Sequence, residues 1–254
     1  MRVPPAYIQA SGVLEASPKF PWKGPGQHFG PEQGTKLHDA LAKLTTCAHA
    51  TVCALVEEWL AWRCRACGVD IEPYLHHADA TLAWEIDRRY RDREPDKDLI
   101  VHDTPAHEAL SDAIWRVRLA TNDDYWDDPE TPDMRSASLV SITKQTLPDK
   151  AKKAFLTWLD WAIARAAKLD SQPKKKIPER EDFDSDEEYR DATRPYFGQP
   201  LPREALDPDA NYKPEQREKL LARFLEGLDW KENPFLRSPA DMKKLGFKGT
   251  PYKL

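Results

Sequence analysis

The clearest hydrophobic pattern in the chain runs from Leu37 to Trp62. Leu37, Leu41, Leu44, Ala48, Thr51, Leu55, Trp59 and Trp62 recur at steps of three and four, the spacing of one face of an α-helix. The pattern predicts a long helix starting at Thr35, with Gly68 just past Cys67 as a left-handed stop. A second helix is expected from Pro73 to about Arg93, with Leu75, Leu82 and Ile86 facing inward. Its end is dense in charge, and Pro95 closes it. Thr104-Pro105 is a start signal, a capping residue followed by proline at the first helical position. Leu110, Ile114 and Val117 carry that helix forward. Ser138–Lys144 reads as a short strand or a helical turn. Asp149 is expected to cap another helix, with Phe155, Leu159, Ala162, Ala166 and Leu169 inward. Helicity returns after Pro214 with Leu220, Phe224 and Leu228, and a last short helix runs from Ser238-Pro239 to Gly246.

Between these stretches lie segments that break the pattern. Residues 1–34 hold six prolines and five glycines, which disfavours a long helix because proline removes a donor and glycine costs entropy. Phe20, Trp22 and Phe29 make the segment too aromatic for a free tail, so it reads as an extended arm on the body. Residues 171–214 hold seven prolines and an acidic run from Glu179 to Asp191, and read as one long irregular segment. The expected organisation is one mainly α domain over 1–254, an irregular bundle of about six helices. It divides into the arm (1–34), the main body (35–170), the irregular acidic segment (171–214) and C-terminal helices (215–254).

Composition narrows the class. The chain has 254 residues, 40% hydrophobic and 32% charged, with nine tryptophans and a formal net charge of −5. Disordered chains lack aromatics, so a globular protein is expected. A general nucleic-acid binder carries a basic footprint; this charge points away from DNA and RNA and leaves room for a basic protein partner. The N-terminal sequence shows no apolar run of signal type, and no stretch reaches membrane-spanning length. The expected location is the cytoplasm. Cys47, Cys53, Cys64 and Cys67 fall inside one helical pattern, where reduced thiols are the simple expectation.

Few residues offer chemistry. Cys64 and Cys67 with His76 and His77 present soft metal ligands, but adjacent histidines do not suit a closed tetrahedral site. No bound metal and no cofactor are therefore expected. His76 or His77, His102-Asp103 and an aspartate of the 123–124 pair suggest a metal-dependent phosphohydrolase, and this is the alternative enzyme reading. Asp182, Asp184 and Asp186 imitate the start of a calcium loop, which Glu187 and Thr193 then break. Phosphate-cradling glycine motifs and the G-x-S-x-G elbow are absent. The segment that stands out is Asp123-Asp124-Tyr125-Trp126-Asp127-Asp128. Aromatics dominate interface hot spots and carboxylates steer a basic partner, so these six residues are the expected partner-binding site. The plain alternative is a solvated acidic loop with Trp126 tucked inward. Glu179–Asp191, with Phe183 and Tyr189, has the same character.

An acidic, Trp-rich chain with Pro-Trp-Lys-Gly-Pro-Gly near its start and Asn-Pro-Phe … Leu-Gly-Phe-Lys-Gly-Thr-Pro-Tyr at its end resembles an immunity protein of a bacterial polymorphic-toxin or type VI secretion system. More narrowly, it resembles those paired with nuclease toxins of the restriction-endonuclease type. The resemblance implies a cytoplasmic, non-catalytic inhibitor that binds a toxin and blocks its active site; it assigns no residue a role. An adaptor of a phage or secretion apparatus fits the same features.

Overall fold

A computed structural model describes residues 2–15, 19–22, 24, 35–121, 132–174 and 177–254. It is mainly helical, and no strand occurs among the described residues. Of ten α-helical segments among the described residues, seven run 11 residues or longer: α3 (Thr46–Arg65), α4 (Glu72–Ile86), α5 (Pro105–Ala120), α6 (Pro132–Thr146), α7 (Asp149–Leu169), α8 (Asp186–Phe197) and α9 (Arg217–Gly227). Three are short: α1 (Ala6–Ala10), α2 (Lys36–Leu41) and α10 (Pro239–Lys244).

The long helix expected from Thr35 onward is two helices. α2 ends at Leu41, and a new helix begins at Thr46 because Thr45 takes an extended conformation and its hydroxyl accepts from the Ala48 N–H. That cap satisfies an end-of-helix donor that a continuous helix would have bonded to a carbonyl. The break is pinned from outside. The Gln172 N–H donates to the Lys43 carbonyl at 2.8 Å, and the Thr45 hydroxyl donates to Asp170. Gly198 closes the same corner with φ +82°, and a Cβ there would collide with Thr45 and Asp170. Glycine is required on both grounds.

α3 is the axis of the molecule, with α4, α5, α6 and α7 packed around it. From Cys47 to Cys64 every residue is buried. The apolar stripe read from sequence is real, but the opposite face is buried too, so His49, Glu57, Glu58 and Arg63 lie inside. One hydrophobic cluster extends from Ile8 through α3–α7 to Tyr252. Trp59 sits at its centre, edge-on to Phe155 at 5.5 Å and near Trp158 at 6.0 Å.

Other expectations shift in detail. α4 ends at Ile86, earlier than Arg93; a single 3-10 turn over Arg88–Tyr90 follows, and Arg91 is buried. Ser138–Lys144 lies inside α6, neither a strand nor a lone turn. The 171–214 segment is not irregular throughout: α8 occupies 186–197, capped by Ser185 and containing Pro195. In the arm, α1 forms one turn that buries Ile8. The caps at Thr104 and Ser238 and the left-handed stops at Gly68 and Gly246 form as the sequence predicts.

Candidate functional site

The six residues singled out for partner binding, Asp123, Asp124, Tyr125, Trp126, Asp127 and Asp128, lie outside the described residues. The second acidic segment is described. Glu179, Glu181, Asp182, Asp184, Glu188 and Asp191 are exposed along the approach to α8 and its first turns. Tyr189 is buried beneath them, with the Phe183 ring 5.6 Å away.

The histidines proposed for a metal centre are separated. His77 is fully buried, whereas His76 points to Glu72 at 3.7 Å nearer the surface. His102 and Asp103 are exposed ahead of α5. The four cysteines are free thiols. Cys64 faces the Ala106 carbonyl and Cys67 accepts from Arg63. Among the described residues no three His, Cys, Asp or Glu side chains stand where they could hold a metal ion.

The structure instead gathers charge around two adjacent residues of α3, Glu57 and Glu58. Glu57 faces His77 on α4, and both carboxylate oxygens lie 2.9 Å from Nδ1. The Arg91 guanidinium donates to His77 Nε2 at 2.6 Å. Arginine has no acceptor, so Nε2 must accept, and the proton of the neutral ring sits on Nδ1, donating to Glu57. Arg91 also donates to Asp96 at 3.1 Å and to the Thr121 hydroxyl at 3.0 Å. All of these residues are buried. Burial, helped by the charges of Arg91 and Arg93, holds His77 well below the usual imidazole range. Burial lifts Glu57 well above the carboxylate range, against the pull of Arg91. No part of this network opens to solvent, so it can hold helices together but cannot meet a substrate.

Two further buried clusters are sealed in the same way. Glu85 on α4 accepts from the Thr51 hydroxyl at 2.8 Å and from the Leu201 N–H at 3.3 Å. Burial pushes its carboxyl well up, toward the protonated form. His49 Nδ1 lies 3.1 Å from the Ser136 hydroxyl, and Cys53 Sγ lies 3.2 Å from the same oxygen. Burial lowers His49 to about 4, and Asp133 opposes the shift.

Glu58 differs. It forms an ion pair through Oε1 with Arg203, which follows α8 in the chain and is partly exposed. Around the pair lies a cleft of about 310 Å³, lined among others by Arg2, Pro5, Tyr7, Leu75 and Arg203. Arg2 crosses one side, donating to Glu72 at 2.8 Å and to Asp79 at 2.5 Å. Tyr7 stacks on Trp158 with centroids 5.7 Å apart. Burial raises Glu58 and Arg203 counters it; the Glu58 carboxylate in turn raises Arg203. This is the one chemically loaded cluster described above that borders an open volume.

Sequence reasoning missed these residues, although a signal was present. Glu57 and Glu58 interrupt an otherwise apolar run from Val52 to Trp62, and acids on the inward side of a central helix must be paired. Arg91 was hidden in the dense charge expected at the end of the second helix.

No family model, curated protein or solved structure matches this chain. Among the described residues no helix is long and apolar enough to cross a membrane.

Proposed function

We propose that this is a non-catalytic binding protein that neutralises a cognate bacterial toxin, acting in the cytoplasm as an immunity protein. What carries the reading is the distribution of ionisable groups. Glu57, His77, Arg91 and Asp96 are locked inside the helical body, whereas Glu179, Glu181, Asp182, Asp184, Glu188 and Asp191 are displayed on the surface. Catalysis needs titratable groups within reach of a substrate, and buried, mutually paired groups serve structure instead. An inhibitor of a phosphate-binding enzyme needs the reverse, with carboxylates on the outside that replace phosphates in a basic cleft. Asp123, Asp124, Asp127 and Asp128, with Tyr125 and Trp126 as anchors, are proposed as partner-binding residues from their sequence alone.

The test is to capture partners from the source cell with the tagged protein, identify them by mass spectrometry, and reconstitute the pair. The expected partner is a basic toxin domain whose activity disappears at equimolar inhibitor. Binding should slow as salt rises, because charge attraction acts mainly on association. A partner that stays fully active in the complex, or turnover of a substrate by this chain itself, rules the reading out.

A further inference from the structure

A groove of about 590 Å³ lies toward the C-terminal end of the chain, lined by the turn after α9, the extended stretch before α10, and α10 itself. Its frame is fixed from outside. The Arg237 N–H donates to the Tyr90 carbonyl at 2.8 Å, and the Asp92 N–H donates to the Phe235 carbonyl at 2.7 Å. The Asn233 side chain, itself buried, donates to the His76 carbonyl at 2.9 Å. Met242 is fully buried and seats α10 on the core. On this frame stand the Trp230 indole and two leucines, Leu236 and Leu245, of which Leu245 is 51% exposed.

The charges of the groove do not cancel. Three cations, Lys231, Arg237 and Lys244, accompany two carboxylates, Asp92 and Asp241. Asp241 is spent on Lys244 at 2.8 Å and on the Ser238 hydroxyl at 2.6 Å. Those bonds hold it below the usual carboxylate range. Asp92 stands 3.8 Å from Arg237 and offsets its charge, although the gap is too long for a hydrogen bond. Lys231 is left over. It is exposed, and its ammonium lies 5.7 Å from the centre of the Trp230 ring. In a chain of net charge −5, the groove therefore presents a cation beside an aromatic wall.

We infer that this groove binds a carboxylate carried on an aromatic stem, with Lys231 meeting its head and Trp230, Leu236 and Leu245 its ring. Lys231, Leu245 and the partly exposed Arg237 are all reached from solvent. The choice between anions follows from the count of charges. A phosphate monoester carries about two negative charges and would meet one surplus cation with Asp92 and Asp241 close by. A carboxylate carries one, which matches. An aromatic ring gains from offset or edge-on packing against an indole beyond the area it buries, and about 590 Å³ lies within the usual range of small-ligand pockets. The same chemistry is offered by a free arylalkanoic acid and by the C-terminal carboxylate of a peptide ending in an aromatic residue. The site does not depend on the toxin-neutralising reading.

The experiment is a titration of the isotope-labelled full chain at low salt, followed by amide and indole NMR shifts. Phenylpropionate and the peptide Ac-Gly-Gly-Phe with a free C-terminus carry the proposed head and ring. Phenylpropionamide lacks the charge, phenethylammonium reverses it, and acetate lacks the ring. Saturable binding of the acids in the millimolar range is expected, with shifts at Trp230, Leu236 and Leu245. The amide should bind about threefold more weakly or worse, the effect of losing an exposed ion pair, and phenethylammonium and acetate should bind more weakly still. Peptide binding at least as tight as that of phenylpropionate assigns the site to chain termini, and weaker peptide binding assigns it to a free acid. Lys231→Glu alters an exposed side chain, so the fold is kept, and it should abolish the preference for acid over amide. Trp230→Ala should weaken binding about tenfold. Trp230 packs partly on the core, so Lys231→Glu carries the test if that variant unfolds. The inference is overturned if neither acid saturates, or if the amide, phenethylammonium or acetate binds as tightly as the acids. It is also overturned if Lys231→Glu keeps the preference for acid, or if folded Trp230→Ala binds like wild type.

Discussion

Glu57 and Glu58 are neighbours on one helix, identical in chemistry and both shut away from bulk water, yet they serve different purposes. About 100° apart around α3, they enter different surroundings. Glu57 meets His77, Arg91 and Asp96 in a network whose members are all buried. Glu58 meets one arginine from a later segment and keeps an oxygen free beside an open cleft. A buried ion pair is weak evidence for stability in itself, because desolvation offsets attraction. Unmade hydrogen bonds do not separate the two, because Arg91 Nε and Asp96 Oδ1 in the Glu57 network lack a partner just as Glu58 Oε2 does. What differs is the surroundings: the Glu57 network is enclosed, whereas Glu58 and its partner Arg203 line a cleft. Losses on the enclosed side should cost more stability.

The largest effect is expected on the closed side. Arg91→Met removes the cation that donates to both His77 and Asp96 and leaves Asp96 and Glu57 buried without it. A cost of about 3–5 kcal/mol is expected from chemical denaturation. A loss below about 1 kcal/mol would mean the network is wetter than its burial indicates.

Packing around the same axis sets the next magnitude. Leu55 is 2% exposed, one turn before Trp59. Leu55→Ala should cost about 2–5 kcal/mol by leaving a cavity. A change under about 0.5 kcal/mol would show that α3 is not the core.

Acid separates the histidines from the carboxyls. His49 falls from 6.5 to about 4 on folding. Its folded form binds protons less readily than the unfolded chain, so its contribution is present above the unfolded value. That contribution is lost as pH falls from about 6.5 toward 4, on the order of 3 kcal/mol. His77 is shifted in the same direction. Glu57, Glu58 and Glu85 are raised. Their contributions have the opposite sign, favouring the fold at low pH and fading as pH rises through their folded values. Replacing His49 with Gln should therefore flatten the stability profile between pH 7 and pH 4, as measured by urea unfolding at each pH. An unchanged slope would show that His49 titrates normally.

The smallest effect is expected at the surface histidine. His102 is exposed, and His102→Ala should stay within about 0.5 kcal/mol of wild type. A large loss, or a bound metal released by the change, would revive the hydrolase alternative.

The helices were legible where local chemistry decides them. Periodicity located α3, α5 and α7, and capping chemistry located the starts at Thr104 and Ser238. The break at Thr45 escaped because it depends on Gln172, Asp170 and Gly198, more than a hundred residues away in sequence. α8 escaped because Pro195 and the acidic run resemble a loop until Tyr189 is buried. The two glutamates escaped because hydrophobic patterning treats charge as outward-facing, and only the surroundings reveal where an inward carboxylate finds its partners. The sequence-level interface at 123–128 falls outside the described residues.

The difference between the two glutamates can be measured directly by placing Glu57→Gln and Glu58→Gln side by side, each followed by urea unfolding. Glu57→Gln should give the larger fall in unfolding midpoint, because His77 and Arg91 stay buried around it. Glu58→Gln should give the smaller one, because Arg203 is partly exposed and can turn to water. An equal or larger loss for Glu58→Gln would contradict the division between a sealed side and an open one.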